Sequence, residues 1–322
     1  MKKVNLALSV IALCALFSLP ALASWPTPAS LLVFPIYDSQ PGMATLITVT
    51  NTNADQVSGA VYVEFVYIDG QTCAEFNRTE RLSPNDTITL LASAHNAESN
   101  LGYLYVFAKT EVNGEPMDFD YLIGNEMVVN GFEGHEGALN PFGFQGLTGY
   151  RVATDLDQDG ILDLDGQEYE MAPDEILIPR FLGQSIVVQS YLAMVNLTGG
   201  AKFLTTLDFL VYNDHEQQFS AEYTFYCWAR PYLTDISGVF TEYFLDWSTD
   251  DLDEIIGIPS VEAGWMRING GITSSTTTSI NDPAFLAALV ETIAAFGGAD
   301  LPFAIGSQDN GDLLPRSVNG DS

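Results

Sequence analysis

Between residues 155 and 166 the chain reads DLDQDGILDLDG, a twelve-residue stretch in which acidic side chains recur at alternate positions. Asp155, Asp157, Asp159 and Asp163 fall at positions one, three, five and nine, the carbonyl of Ile161 at seven, and Gly160 at six, where such a loop must turn sharply. Calcium takes six to eight oxygen ligands, and this spacing delivers them from one short segment. Position twelve, which should close the shell with a carboxylate, is Gly166, so Asp165 or Glu168 has to supply it. Five carboxylates within eleven residues repel one another, and a divalent cation relieves that repulsion. The expected chemistry is therefore oxygen ligation of a structural Ca2+.

The spacing resembles the EF-hand-like loops of extracellular calcium modules such as thrombospondin type 3 repeats and dockerins. The resemblance covers these dozen residues alone. No helix signal precedes the loop, so a fixed ion is expected and a paired EF-hand sensor is not.

Other candidates carry less chemistry. His95, His135 and His215 stand far apart and form no zinc spacing, and His135-Glu136 reads as an exposed loop pair. No nucleophile elbow, phosphate-cradling glycine loop or dinucleotide fingerprint is present, and no catalytic residue is assigned. Asp118 and Asp120 flank Phe119, which on a strand puts both carboxylates on one side, as a solvated strand end or a second cation site. Tyr103, Tyr105 and Phe107 alternate along a strand-like run, as core packing or as a platform for sugar rings.

The compartment follows from the N-terminus. Lys2 and Lys3, an apolar run from Val10 to Leu19 and the triplet Ala21, Leu22, Ala23 make residues 1–23 a secretory signal peptide. The expected location is outside the cytoplasm, secreted or periplasmic. Those residues hold two of the 11 Lys and Arg and none of the 42 Asp and Glu, so the mature chain carries a net charge of −33. So few cations cannot neutralise nucleic-acid phosphates, and anionic membrane surfaces repel such a chain. Cations are its natural partners. With 47% hydrophobic and only 16% charged residues, a packed core is expected rather than disorder. Cys73 and Cys227 remain after cleavage, either as one disulfide or as two buried thiols.

The elements that must position the loop read as strands. Runs such as LLVFPIY (31–37), ATLITVTN (44–51), AVYVEFVYI (60–68), DTITLL (86–91), GYLYVFAK (102–109) and DFDYLIG (118–124) are rich in β-branched and aromatic residues and separated by turn chemistry. A second set spans 185–198, 203–214, 219–229 and 237–247. Its order loosely repeats the first, AVYVEFVYIDG matching LDFLVYND and GYLYVFA matching GWMRING at 264–270. Near the C-terminus, Asp282 as cap, Pro283 at the first position and Gly297 past the end predict a helix over 283–296, with Phe285, Leu286, Leu289, Ile293 and Phe296 on one face.

The reading is an all-β chain of two immunoglobulin-like antiparallel β-sandwiches in tandem, with a calcium-loop insertion between them and one C-terminal helix. Its parts are a first sandwich at 24–124, a glycine-rich and calcium-loop connector at 125–184, a second sandwich at 185–307 and a polar tail at 308–322. The tail has no apolar anchor, so stable membrane insertion is not expected.

The segments ITVTNTN, YVEFVYIDGQTC, GYLYVFAK, DFDYLIG and DLDGQEYEMAPDEILIPRFLG together resemble an uncharacterised family of secreted bacterial proteins with two β-sandwich halves. The resemblance spans most of the mature chain, implies secretion and a two-part layout, and transfers no catalytic residue. The expected role is non-enzymatic surface adhesion or matrix interaction, with another surface protein or a glycan as partner. The alternative is a carbohydrate-binding module or a hydrolase with an acidic cleft.

Overall fold

The computed structural model describes residues 26–112, 114–132, 134–200, 202–246, 262–293, 296–300 and 302–313, so residues 1–23, expected to be a signal peptide, and the end of the tail lie outside the described residues. The fold is all-β. The first group of strands is β1 (Leu31–Asp38), β2 (Met43–Asn51), β3 (Val61–Asp69), β4 (Glu75–Leu82), β5 (Thr87–Leu91), β6 (Leu101–Lys109), β7 (Leu122–Asn130), β8 (His135–Leu139) and β9 (Phe142–Phe144). After the short β10 (Asp163–Leu164) come β11 (Glu175–Leu182), β12 (Val188–Asn196), β13 (Leu204–Asn213), β14 (Gln218–Phe225) and β15 (Trp228–Ala229). The last group is β16 (Ala263–Ser274), β17 (Ser279–Asn281), β18 (Phe285–Ile293), β19 (Phe296–Asp300), β20 (Phe303–Ile305) and β21 (Gly311–Asp312).

Two antiparallel sheets form from the first group, ordered β4-β3-β6-β1-β9 and β5-β2-β7-β8. Two more form from the later strands, ordered β14-β13-β16-β11-β20 and β15-β12-β18-β19. Strand for strand the second pair repeats the first, so the loose sequence repeat corresponds to a repeated sheet order. Even the irregularities match. The register of β1 shifts between Phe34 and Tyr37, around Pro35, and that of β11 shifts between Ile178 and Phe181, around Pro179. Proline has no N–H for the ladder, so a bulge is where a strand tolerates it.

The four sheets stack with three cores between them. Leu32 and Phe34 of β1, Val63 and Phe65 of β3, and Ile47 and Val49 of β2 fill the first core. Alternate residues of β1, β3 and β6, namely Leu31, Val33, Val66, Ile68, Tyr103, Tyr105 and Phe107, turn the other way and meet Ala193, Val195 and Leu286 of the β15-β12-β18-β19 sheet. Leu192, Met194, Phe285 and Leu289 then pack on Phe209, Val211, Met266 and Ile268 in the third core. The sheet β4-β3-β6-β1-β9 is thus apolar on both faces because both are covered.

The two outermost faces carry polar residues where the middle junction carries apolar ones. Opposite Leu31 and Tyr105 in the repeat stand Glu175 and Arg267, joined as an ion pair. On the other outer face Thr48 bonds Thr89 at 3.1 Å and Thr50 bonds Thr87 at 2.9 Å across the strands. These positions end the stack, as capping units end a repeat array.

The middle junction is fastened by more than apolar contact. Cys73 and Cys227 are joined as a disulfide between residues 154 apart in sequence. Trp228 is buried, its Nε1–H donates to the carbonyl of Pro35 at 2.8 Å, and its ring lies so close to Gly70 that a Cβ there would come within 2.4 Å of it. Arg230 pairs with the buried carboxylate of Asp38 at 2.7 Å.

Several expectations are corrected. The segment expected as a helix over 283–296 contains strand β18, paired along its whole length with β12 and in part with β19. Its apolar run is buried on both faces, so it carries neither a clear period of two nor a solvent face, and a helical spacing was readable by coincidence. The stretch 237–247, read as a strand, forms short helical turns instead, with Ser237 and Thr241 side chains accepting the N–H groups of Val239 and Phe244. Residues 118–121 form a turn, and the strand there begins at Leu122. The connector at 125–184 contains most of β7 and all of β8, β9 and β11, all built into the main sheets. The tail from 308 is not wholly free, since β21 pairs with β10 and Leu313 is buried in the middle core.

Candidate metal centre

The acidic loop lies between β9 and β11 and is tied down at several points. Met117 bridges Ala153, Gly146 bridges Tyr169, and β10 pairs with β21 through Asp163 opposite Asp312. Tyr169, fully buried, accepts a hydrogen bond from the Thr154 hydroxyl at 2.8 Å, and Leu162 and Leu164 enter the middle core. The apolar residues alternate with acidic ones, so anchoring Leu162 and Leu164 inward turns the carboxylates outward onto one another.

Within the loop, aspartates cap the backbone of the residues that follow. Asp155 Oδ2 accepts the N–H of Gly160 at 3.1 Å, Asp157 Oδ1 that of Asp159 at 3.3 Å, and Asp159 Oδ1 that of Ile161 at 2.8 Å. Gly160 has φ +80°, the left-handed turn that its position at six requires. Carboxylate oxygens of Asp155, Asp157 and Asp159 lie within 4.8 Å of one another, and so do those of Asp157, Asp163 and Glu168. Asp157 belongs to both groups. Asp155 Oδ1 is shut off from solvent without a hydrogen-bond donor.

The two candidates for the closing carboxylate separate. Glu168 is 3% exposed, accepts the backbone N–H groups of Leu156 and Asp163, and stands in the second group of oxygens. Asp165 is engaged in its own turn, taking the N–H groups of Gln167 and Glu168 at 2.7 and 3.0 Å and the Gln167 amide at 2.9 Å. Ile161, at position seven, adjoins the cluster through its N–H bond to Asp159.

The electrostatics match the crowding. Burial, and then the charges of Asp159, Asp157, Asp165 and Asp155, push Asp163 up to about 6. Burial pushes Glu168 up to about 7, with Asp163 and Asp155 adding to it against the two backbone N–H bonds. Asp312 is pushed up to about 7, mainly by burial and further by Asp163 and Asp159. The spacing of the loop gave no hint of Asp312, because β21 brings it from far along the chain, and nothing in the sequence set it apart from Asp309 and Asp321 of the same tail. The donor set is all oxygen, which suits a hard divalent cation.

The remaining candidates are structural. Asp118 accepts the N–H of Gly149 at 2.6 Å, while Asp120 accepts the Ser30 hydroxyl at 2.6 Å and the N–H of Gly146 at 2.9 Å, so the pair pins the turns around it. Tyr103, Tyr105 and Phe107 are buried in the middle core and offer no sugar platform. His95 packs edge-on against Phe65, with its Nδ1 at 2.9 Å from the Tyr67 hydroxyl. His215 contacts Asp214 at 2.5 Å, and the side chain of His135 lies outside what is described. Among the described residues no helix is long and apolar enough to cross a membrane.

No family model and no curated protein matches the chain. Among solved structures it is similar to a chain of the cryo-EM atomic structure of Broad Bean Stain Virus, at 10% identity over 93% of this chain and 99% of that one, with a TM-score of 0.21. A likeness that low carries no argument about function.

Proposed function

We propose that this chain is a secreted or periplasmic protein of two immunoglobulin-like β-sandwiches in tandem, stabilised by calcium and serving in surface adhesion or matrix interaction. The observation that carries the calcium reading is the convergence of Asp155, Asp157, Asp159, Asp163 and Glu168 around a loop with glycine at its turn. The ion neutralises carboxylates that otherwise repel, and it braces a segment fastened both to the Met117 and Gly146 turns of the first strand group and to β21. Its role is structural. The Cys73–Cys227 bond supports an oxidising compartment, and the repeated sheet order supports two units of one plan.

Glu168, rather than Asp165, closes the site in this reading. Glu168→Gln lowers calcium affinity at least tenfold in a competition titration with a fluorescent chelator, and Asp165→Asn changes it far less. Equal losses for the two variants would reject that assignment.

A second reading has one observation in its favour. Trp265 and Tyr212 are cross-strand neighbours on the outer face of the β14-β13-β16-β11-β20 sheet, their rings stacked at 4.4 Å and 10°. A stacked pair beside Arg267, with Trp265 exposed and Tyr212 half-buried, suits stacking against a glycan ring and supports the carbohydrate-binding alternative. A glycan array decides between the two: a reproducible hit lost in Trp265→Ala favours glycan recognition, and a silent array favours the adhesion reading with a protein partner.

A further inference from the structure

Glu126 on β7 is 0% exposed, and neither of its carboxyl oxygens meets a well-formed hydrogen bond. It lines a small cavity of about 20 Å³, room for a single water, where the first strand group meets the second. The walls are Ile36, Met43, Val128 and Leu139 from one side and Tyr191 and Val290 from the other, with the backbone of Gly297, Gly298 and Ala299 on β19 closing the seam against β8. The fold does not require an acid here. In the repeat the matching position of β18 is Leu289, since Glu126 lies opposite Ile47 as Leu289 lies opposite Leu192.

We propose that Glu126 is a proton-operated latch on the junction: as a neutral acid it lets β7 and β8 close on β18 and β19, and as a carboxylate it loosens that seam. An unpaired carboxylate cannot remain in such a site without water or a counter-charge, whereas a neutral carboxyl needs at most one donor or acceptor. Among the described residues the surroundings supply no cation: β8, paired with β7, turns Leu139 and Gly137 toward the cavity, and β7 itself adds Val128 and Asn130. From β1 comes the Ile36 N–H, which favours the ionised form but is outweighed by burial, so the carboxyl is held well above the ordinary glutamate range. From β2 comes Met43, and from β18 and β19 come Val290 and glycine or alanine backbone. From β12 comes Tyr191, itself pushed up to about 12 by burial and therefore neutral. The guanidinium of Arg230 lies 5.2 Å from the Tyr191 ring centre, committed to Asp38 at 2.7 Å.

The direction of the pH effect follows. A carboxyl raised in the folded state leaves stability intact below its unfolded value, near 4.5, and drains it as pH rises toward the folded value. Glu126→Gln keeps the shape and cannot ionise. Melting temperatures of the full chain and of Glu126→Gln, measured from pH 4 to 8.5 in constant excess calcium, should coincide near pH 4. At higher pH the variant should melt progressively later, by several degrees at neutrality. A difference that is flat with pH, or a variant less stable throughout, would overturn the proposal. Carbon-13 carboxyl NMR of the unmodified chain gives an independent reading even where the variant folds poorly. The Glu126 resonance should titrate above all ordinary glutamates, and a midpoint in the ordinary range would also overturn it.

Discussion

Replacing Cys73 and Cys227 together by serine should lower the unfolding free energy by about 4–5 kcal/mol, the loop-entropy value for a closure of this length. The bridge joins residues 154 apart and links the turn after β3 to the turn after β14, so its loss frees the unfolded chain and uncouples the two strand groups at one point. Urea denaturation measures the loss. Reductant should bring the unmodified chain to the same stability and leave the double variant unchanged. If reductant has no effect on the unmodified chain, the bond is absent in solution.

Trp228→Ala should cost about 3–5 kcal/mol, the range for removing a large buried aromatic. Trp228 is 6% exposed, sits one residue from the disulfide, fills the middle core and gives its N–H to the Pro35 carbonyl. Trp228→Phe retains most of the ring and loses the hydrogen bond, so it should cost about 1–3 kcal/mol, the penalty of a buried acceptor left unpaired. Denaturant titration of the three proteins separates packing from hydrogen bonding. Equal stability of Trp228→Phe and the parent would mean that the bond to Pro35 contributes nothing. Combined with the cysteine changes, Trp228→Ala should be less than additive, because both act on one junction.

Much of the scaffold was legible in the sequence, because strands covered on one face alternate visibly and turns announce themselves by glycine and asparagine. Val61 to Ile68 even displayed two apolar faces, which the stack explains by covering both. What no local pattern could show was the cover itself, a sheet built from residues beyond 188. The same two-sided burial hid β18, since FLAALVETI lacks the polar alternation that would have marked it as a strand. At the loop, the odd-numbered aspartates were readable because their ligand spacing is local. The choice between Glu168 and Asp165 was not, because it depends on how the chain turns after Gly166, and Asp312 depends on a strand pairing made 149 residues away.

Calcium titration of the EDTA-stripped chain, by calorimetry with a melt at each end point, measures whether the loop at 155–168 holds a structural Ca2+. Heat of binding at a specific site is expected, with a melting temperature that rises by several degrees, about 2.7 kcal/mol when free calcium exceeds its dissociation constant a hundredfold. Both responses should vanish in the Asp157→Ala, Asp159→Ala double variant. No heat, together with a melt that neither EDTA nor calcium moves, would contradict it.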